Sequence, residues 1–187
     1  PFHYNQLDEL KTIIQSHRNQ IDAIVMEPQR DHAPDPGFLE TVRSIASEFG
    51  IVLIFDEITT GFRMTAGGIH LLHGVNPDIA VFAKAMANGY PMAAVIGTEK
   101  VMQAAQSTFI SSTNWTERTG PVAALAAIRK YQKENVAAHL IKIGDMITEG
   151  WKKVAAESSL KLHTDASIPS LAHFCMPYPD ESALATL

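Results

Sequence analysis

The run Ile51-Val-Leu-Ile-Phe55 constrains the fold of this chain more than any other stretch. It is apolar at every position, with Gly50 before it and Asp56-Glu57 after it. A strand with one wet face alternates, whereas an unbroken apolar run suits a parallel sheet covered on both faces. Three other short runs have the same character. Asp22 to Met26 is stopped by Glu27-Pro28, Asp78 to Phe82 forms a third strand, and Ala93 to Ile96 a fourth. Helical periodicity fills the intervals. Leu7 to His17 carries Leu7, Leu10, Ile13 and Ile14 on one face. Gly37 to Phe49 turns Phe38, Leu39, Val42, Ile45 and Ala46 inward, with Gly50 as its stop. A short helix is expected from Thr98 to Gln106, then two long ones, from near Thr119 to about Glu134 and from about Asn135 to Ala156. Strands alternating with helices specify an α/β fold around a mainly parallel sheet. After Ser158 the texture becomes more polar and Pro-punctuated. Leu160 to His163 and Ser170 to Met176 read as strands there, which puts a domain boundary near residue 157.

Composition excludes several classes. The chain's 187 residues suffice for a sizeable core. A net charge of -5 without a basic cluster argues against a nucleic-acid surface. No apolar run reaches the length of a membrane span. The single Cys175 cannot form an internal disulfide, which fits a reducing, cytoplasmic setting. The chain opens on Pro1 without a secretory leader and ends on Leu-Ala-Thr-Leu. Both ends read as cuts within something longer.

Three polar signals gather where strands end: Glu27 after the first, Asp56-Glu57 after the second, Lys84 after the third. In open α/β sheets this edge is where ligands bind. Each residue alone has a plainer reading. A strand-end Asp caps a helix or ties down a loop, Glu27 before Pro28 terminates a strand, and a Lys buries its stem while its amine reaches water. The combination points to chemistry. A buried, unpartnered Lys84 would be costly and its pKa would fall, leaving a nucleophilic amine suited to condense with an aldehyde. Asp56 asks for a cationic partner, and a protonated pyridine nitrogen is one. An amine for the aldehyde and a carboxylate for the ring nitrogen are the two protein groups that pyridoxal phosphate requires.

Other motifs carry less. His70 and His73 stand three apart, but no carboxylate or cysteine completes a metal set, so no metal site is expected and both read as surface or loop histidines. No Gly-x-Ser-x-Gly occurs. Asp56-Glu57 could hold Mg²⁺, but no Gly-x-x-x-x-Gly-Lys-Ser/Thr accompanies it. Met86, Met92 and Met102 read as core filler. A nucleotide-binding α/β domain, without the Gly-x-Gly-x-x-Gly it needs, and a non-catalytic interaction module stay open as alternatives.

Ile51 to Arg63 (IVLIFDEITTGFR) and Pro77 to Gly97 (PDIAVFAKAMANGYPMAAVIG), with Ala23 to Pro28 and Pro36 to Gly50, resemble the class III, pyridoxal-phosphate-dependent aminotransferases, in the glutamate-1-semialdehyde aminomutase-like branch. The resemblance runs from Phe2 to about His163. It implies a fold type I large domain over residues 1–157 and the start of a small α+β C-terminal domain over 158–187. It implies an enzyme moving an amino group between an amine or amino acid and a carbonyl compound, by transfer or by internal mutation. Lys84 would link to the cofactor and shuttle the proton, Asp56 would hold the ring nitrogen protonated, and Ile58 would pack on the ring. Thr116 would bind the cofactor phosphate of the neighbouring subunit of a homodimer, an alignment anchored on Gly120-Pro121. Glu27 would lie near the site, and Arg63 would form a loop salt bridge with an acid. Asn88-Gly89-Tyr90-Pro91 and Trp115-Thr116-Glu117-Arg118 depart from the glycine-rich and small-residue versions of their loops. The family's phosphate loop and aromatic-His pair come from an earlier segment. The chain therefore reads as the middle of a longer enzyme, inactive by itself.

Overall fold

The computed structural model describes residues 1–111, 113, 116–165 and 167–177. Strands β1 (Ala23–Met26), β2 (Val52–Asp56), β3 (Ile79–Phe82) and β4 (Ala94–Gly97) form one sheet in the order β1-β2-β3-β4. The first three are parallel, with Met26 opposite Phe55 and Phe55 opposite Ala80, and β4 runs antiparallel to β3. Among the described residues six helices accompany them: α1 (Leu7–Ser16), α2 (Phe38–Phe49), α3 (His70–His73), α4 (Glu99–Ala105), α5 (Thr119–Glu134) and α6 (Val136–Glu157). Parallel neighbours need a crossover, which α2 supplies between β1 and β2. Gly50 closes α2 in the left-handed conformation, φ 68°, which a glycine adopts without steric cost.

Alternation along the strands sends Ile24, Leu53, Phe55, Ala80 and Phe82 to one face, where all are buried. Leu10 and Ile14 of α1 and Phe38, Leu39, Val42, Ile45 and Ala46 of α2 cover its β1–β2 half. Ala124 of α5 packs with Phe82, Met86 and Ala87 on the other half. Burial of each such Leu or Phe stabilises the fold by about 1.5–3 kcal/mol. Asp78 locks the layers together: its Oδ2 accepts from the Leu53 amide and from Arg43 Nη1 on α2, both at 2.8 Å. The opposite face is not covered as the unbroken apolar runs predict. Val25 stays 63% exposed and Val95 54%, because the helices described here pack against the first face. By the same alternation Asp56 belongs to that open face.

After α6 the chain builds a separate two-stranded antiparallel ladder, β5 (His163–Asp165) with β6 (His173–Cys175). The first of these begins at His163 rather than ending there, since Leu160 is taken up by a bond from its amide to Ala155 O that closes α6. Between β5 and β6 a 3₁₀ turn, Pro169–Leu171, rests on α6. Gly144 makes this possible: a Cβ there would overlap the Pro169 carbonyl. Residues 178–187, assigned above to the small domain, lie outside the described residues, as does Trp115. Among the described residues no helix is long and apolar enough to cross a membrane.

Candidate active site

The β2–β3 register sets the site. Asp56 is opposite Val81, and the Glu57 amide donates to Val81 O at 2.9 Å. Lys84 follows Val81 by three residues, so Asp56 and Lys84 leave neighbouring strand ends at the carboxyl edge of the sheet. Asp56 is half-buried. Its Oδ1 accepts from the Ile58 amide at 2.9 Å, an Asx turn that fixes the carboxylate and Ile58 together. Among the described residues Oδ2 has no hydrogen-bond partner.

Lys84 has left-handed backbone, φ 46°, and opens the 3₁₀ turn Lys84–Met86. For a residue with a Cβ this conformation costs about 1–2 kcal/mol. Strain of that kind collects at functional sites. Its Nζ donates to Thr59 Oγ1 at 2.8 Å. Lys84 is neither buried nor unpartnered: it is exposed, because the chain turns out of the sheet at Ala83, and a hydroxyl is its partner. Thr59 is buried and central, and sequence reading missed it. The only local signal was its closeness to Asp56, since the partners of its hydroxyl, Arg30 and Lys84, lie far along the chain.

Asp56 and Glu57 do not act as a pair. Alternation turns Glu57 the other way, where it is 0% exposed. Its Oε1 accepts from the His70 amide at 3.0 Å and from His70 Nδ1 at 2.8 Å. Its Oε2 accepts from the Ile69 amide at 3.0 Å and from Thr60 Oγ1 at 2.5 Å. Burial alone would push the Glu57 carboxyl up, but the donors from His70, Thr60 and Ile69 outweigh it and hold the group below the ordinary value. His70 is therefore a buried partner of Glu57 rather than a surface histidine. His73 Nε2 donates to Gln29 Oε1 at 2.9 Å, and burial lowers the His73 pKa.

Glu27 follows the last residue of β1 and pairs with Arg30 Nη1 at 2.8 Å. Arg30 Nη1 also lies 3.4 Å from Thr59 Oγ1, so Glu27, Arg30, Thr59 and Lys84 form one polar chain across the strand ends. Arg63 makes no salt bridge among the described residues. Its Nε donates to the Thr59 carbonyl at 2.7 Å, because the turn brings that carbonyl over it, and burial lowers its pKa. Thr116 is exposed in the turn before α5. Gly120, its anchor in the alignment, packs against Pro91 O.

The Asp56 oxygen without a partner and the strained, outward-turned Lys84 fit the ring nitrogen and the aldehyde of pyridoxal phosphate as donor set. The family model for aminotransferase class-III matches residues 3–163. The chain is 38% identical over 169 residues to 3-aminobutyryl-CoA aminotransferase of Cloacimonas acidaminovorans (strain Evry), covering 87% of this chain and 41% of that protein. It is 32% identical over 168 residues to glutamate-1-semialdehyde 2,1-aminomutase of Roseiflexus castenholzii, covering 86% and 39%. The PLP internal aldimine form of FumI from Sphingopyxis sp. MTA144 superimposes with a TM-score of 0.85 at 24% identity, covering 93% of this chain and 44% of that one. That likeness shows the fold, the fold type I transaminase layer expected above. The chain spans about two fifths of the length of the curated relatives it matches. On the match across most of its length, the chain belongs to the aminotransferase class-III family.

Proposed function

We propose that this chain carries the lysine and aspartate of a pyridoxal-phosphate site, in an enzyme that moves an amino group between an amine or amino acid and a carbonyl acceptor. The observation that supports it most is Lys84: a non-glycine residue in left-handed backbone, at a strand end beside Asp56, with its amine on a buried hydroxyl. When bound, pyridoxal phosphate supplies an aldehyde that condenses with amines and a ring that takes up the electron pair left when a proton departs from the amine-bearing carbon. The chain's residues do the rest. Lys84 Nζ would hold the cofactor, and as a free amine it would take the proton from the substrate's amine-bearing carbon and return it. Thr59 Oγ1 accepts from that amine and fixes its direction. Asp56, tethered by the Ile58 amide, would keep a proton on the ring nitrogen, and Ile58 would contribute an apolar side chain to the ring's seat.

The reading extends to the whole protein. Residues 1–157 form part of a cofactor-binding large domain and 158–187 begin a small one. The protein is a cytoplasmic homodimer in which Thr116 serves the neighbouring subunit's cofactor phosphate, and Glu27 supports the site through Arg30. Borohydride reduction of the intact protein with pyridoxal phosphate, followed by peptide mapping, tests it. The label is expected on Lys84; a label elsewhere, or none, refutes the reading.

A further inference from the structure

Arg30 is poorly explained as a stabilising residue. Its side chain is 49% exposed and that of Glu27 32%. Ion pairs so open to water contribute little to stability. Yet its backbone is held with unusual care. Ser167 Oγ donates to both Arg30 O and Asp31 O at 3.0 Å, and Gln29 Nε2 donates to Ser167 O at 3.0 Å. Gln29, in turn, is buried and bonded to His73. The anchored stem delivers the guanidinium to a cavity of about 290 Å³, walled by Arg30, Asp31, Thr59, Ile168, Leu171 and His173.

A guanidinium has five N–H donors in a planar fork. Here only Nη1 is engaged at hydrogen-bond distance, by Glu27 and Thr59. Nε lies 3.8 Å from Asp31 Oδ1, beyond a hydrogen bond. The other arm of the fork is unspent among the described residues. Two acids, Glu27 and Asp31, flank the arginine and hold its direction without saturating it. Arg30 and Lys84 touch the same oxygen, Thr59 Oγ1, from two sides. The cation is thus at most two hydrogen-bond lengths from the amine at which the amino group is exchanged, the span of an amino acid with few carbons between its amine and its carboxylate.

We infer that Arg30 recognises a carboxylate of the substrate, so that the enzyme prefers short amino and oxo acids to neutral amines. The inference rests on Lys84 as the cofactor lysine. Bidentate geometry makes arginine the apt residue, since a carboxylate matches the fork and an ammonium does not. Ile168 and Leu171 give the same cavity an apolar lining beside the guanidinium.

The test is calorimetric titration of the cofactor-loaded intact protein with propanoate, propanamide and methylphosphonate. Wild type is expected to bind propanoate at least about tenfold more tightly than propanamide, the scale of one charge-assisted contact. Arg30→Gln should erase that preference, and Arg30→Lys should keep part of it. A wild type without the preference, an Arg30→Gln variant that retains it, or an Arg30 dependence seen for methylphosphonate and not propanoate overturns the inference. Borohydride labelling of the same samples separates the two readings. If Lys84 is labelled in both wild type and Arg30→Gln, the cofactor site is intact and folded, and the titration judges Arg30 alone. If Lys84 is labelled in neither, the underlying reading falls and the inference with it.

Discussion

Replacing Glu57 by Gln tests how the turn carrying Ile58 and Thr59 is held. The carboxylate has no exposure and accepts four hydrogen bonds, two on each oxygen. Glutamine keeps one acceptor oxygen and turns two donors toward the remaining pair of donors. Bonds to a charged group are worth about 1.5–3 kcal/mol each, and a buried donor left unmet costs about 1–3 kcal/mol. Some relaxation around His70 tempers the loss, so about 2–4 kcal/mol of destabilisation is expected for Glu57→Gln. Urea unfolding followed by circular dichroism measures it as a lowered midpoint at unchanged slope. The pH dependence has a definite sign. The folded-state pKa is depressed below the ordinary glutamate value of 4.5, so between the two values the unfolded chain binds more protons. This part of the stability is complete above 4.5 and is lost as the pH falls through the folded value. Glu57→Gln should lack that acid-side component. A midpoint within about 0.5 kcal/mol of wild type would refute the reasoning, since that is the spread of substitutions away from any such feature.

Two further outcomes follow from backbone and packing. Lys84→Gly and Lys84→Ala both remove the amine, but only glycine tolerates φ 46° freely, so the Gly variant should unfold about 1 kcal/mol later than the Ala variant; equal midpoints would count against strain at Lys84. Gly144→Ala should push Pro169 off α6 at a cost of about 1–3 kcal/mol and speed tryptic cleavage at the exposed Lys161; an unchanged cleavage rate would mean that the turn yields without loss.

The strands and long helices were legible because their signals are local. Gly50 ends α2 where its backbone demands it, and Ile51 to Phe55 announces β2 within one residue of its bounds, Val52–Asp56. Asp56 and Lys84 could be set on adjacent strand ends from order alone. What escaped the sequence depends on distant partners. Glu57 looks like a twin of Asp56 until alternation along β2 is enforced, and apart from Thr60 its donors, Ile69 and His70, lie 12 and 13 positions onward. His70 and His73 look like surface residues because nothing near them reveals Glu57 or Gln29. Thr59 and Arg30 gain meaning only when β1, β2 and β3 are side by side. Arg63 carried a charge that invited a salt bridge, whereas the turn offered it a carbonyl.

The contact between Gly144 and Pro169 reaches further than packing. It fixes the 3₁₀ turn to the long helix, and Ser167, two residues before that turn begins, grips the successive carbonyls of Arg30 and Asp31. A tilt of α6 would therefore travel through one rigid lever to the mouth beside the guanidinium, widening or narrowing it. Tolerance for bulkier side chains in this protein would then be tuned from the back of a helix, by residues that never meet the molecule being chosen.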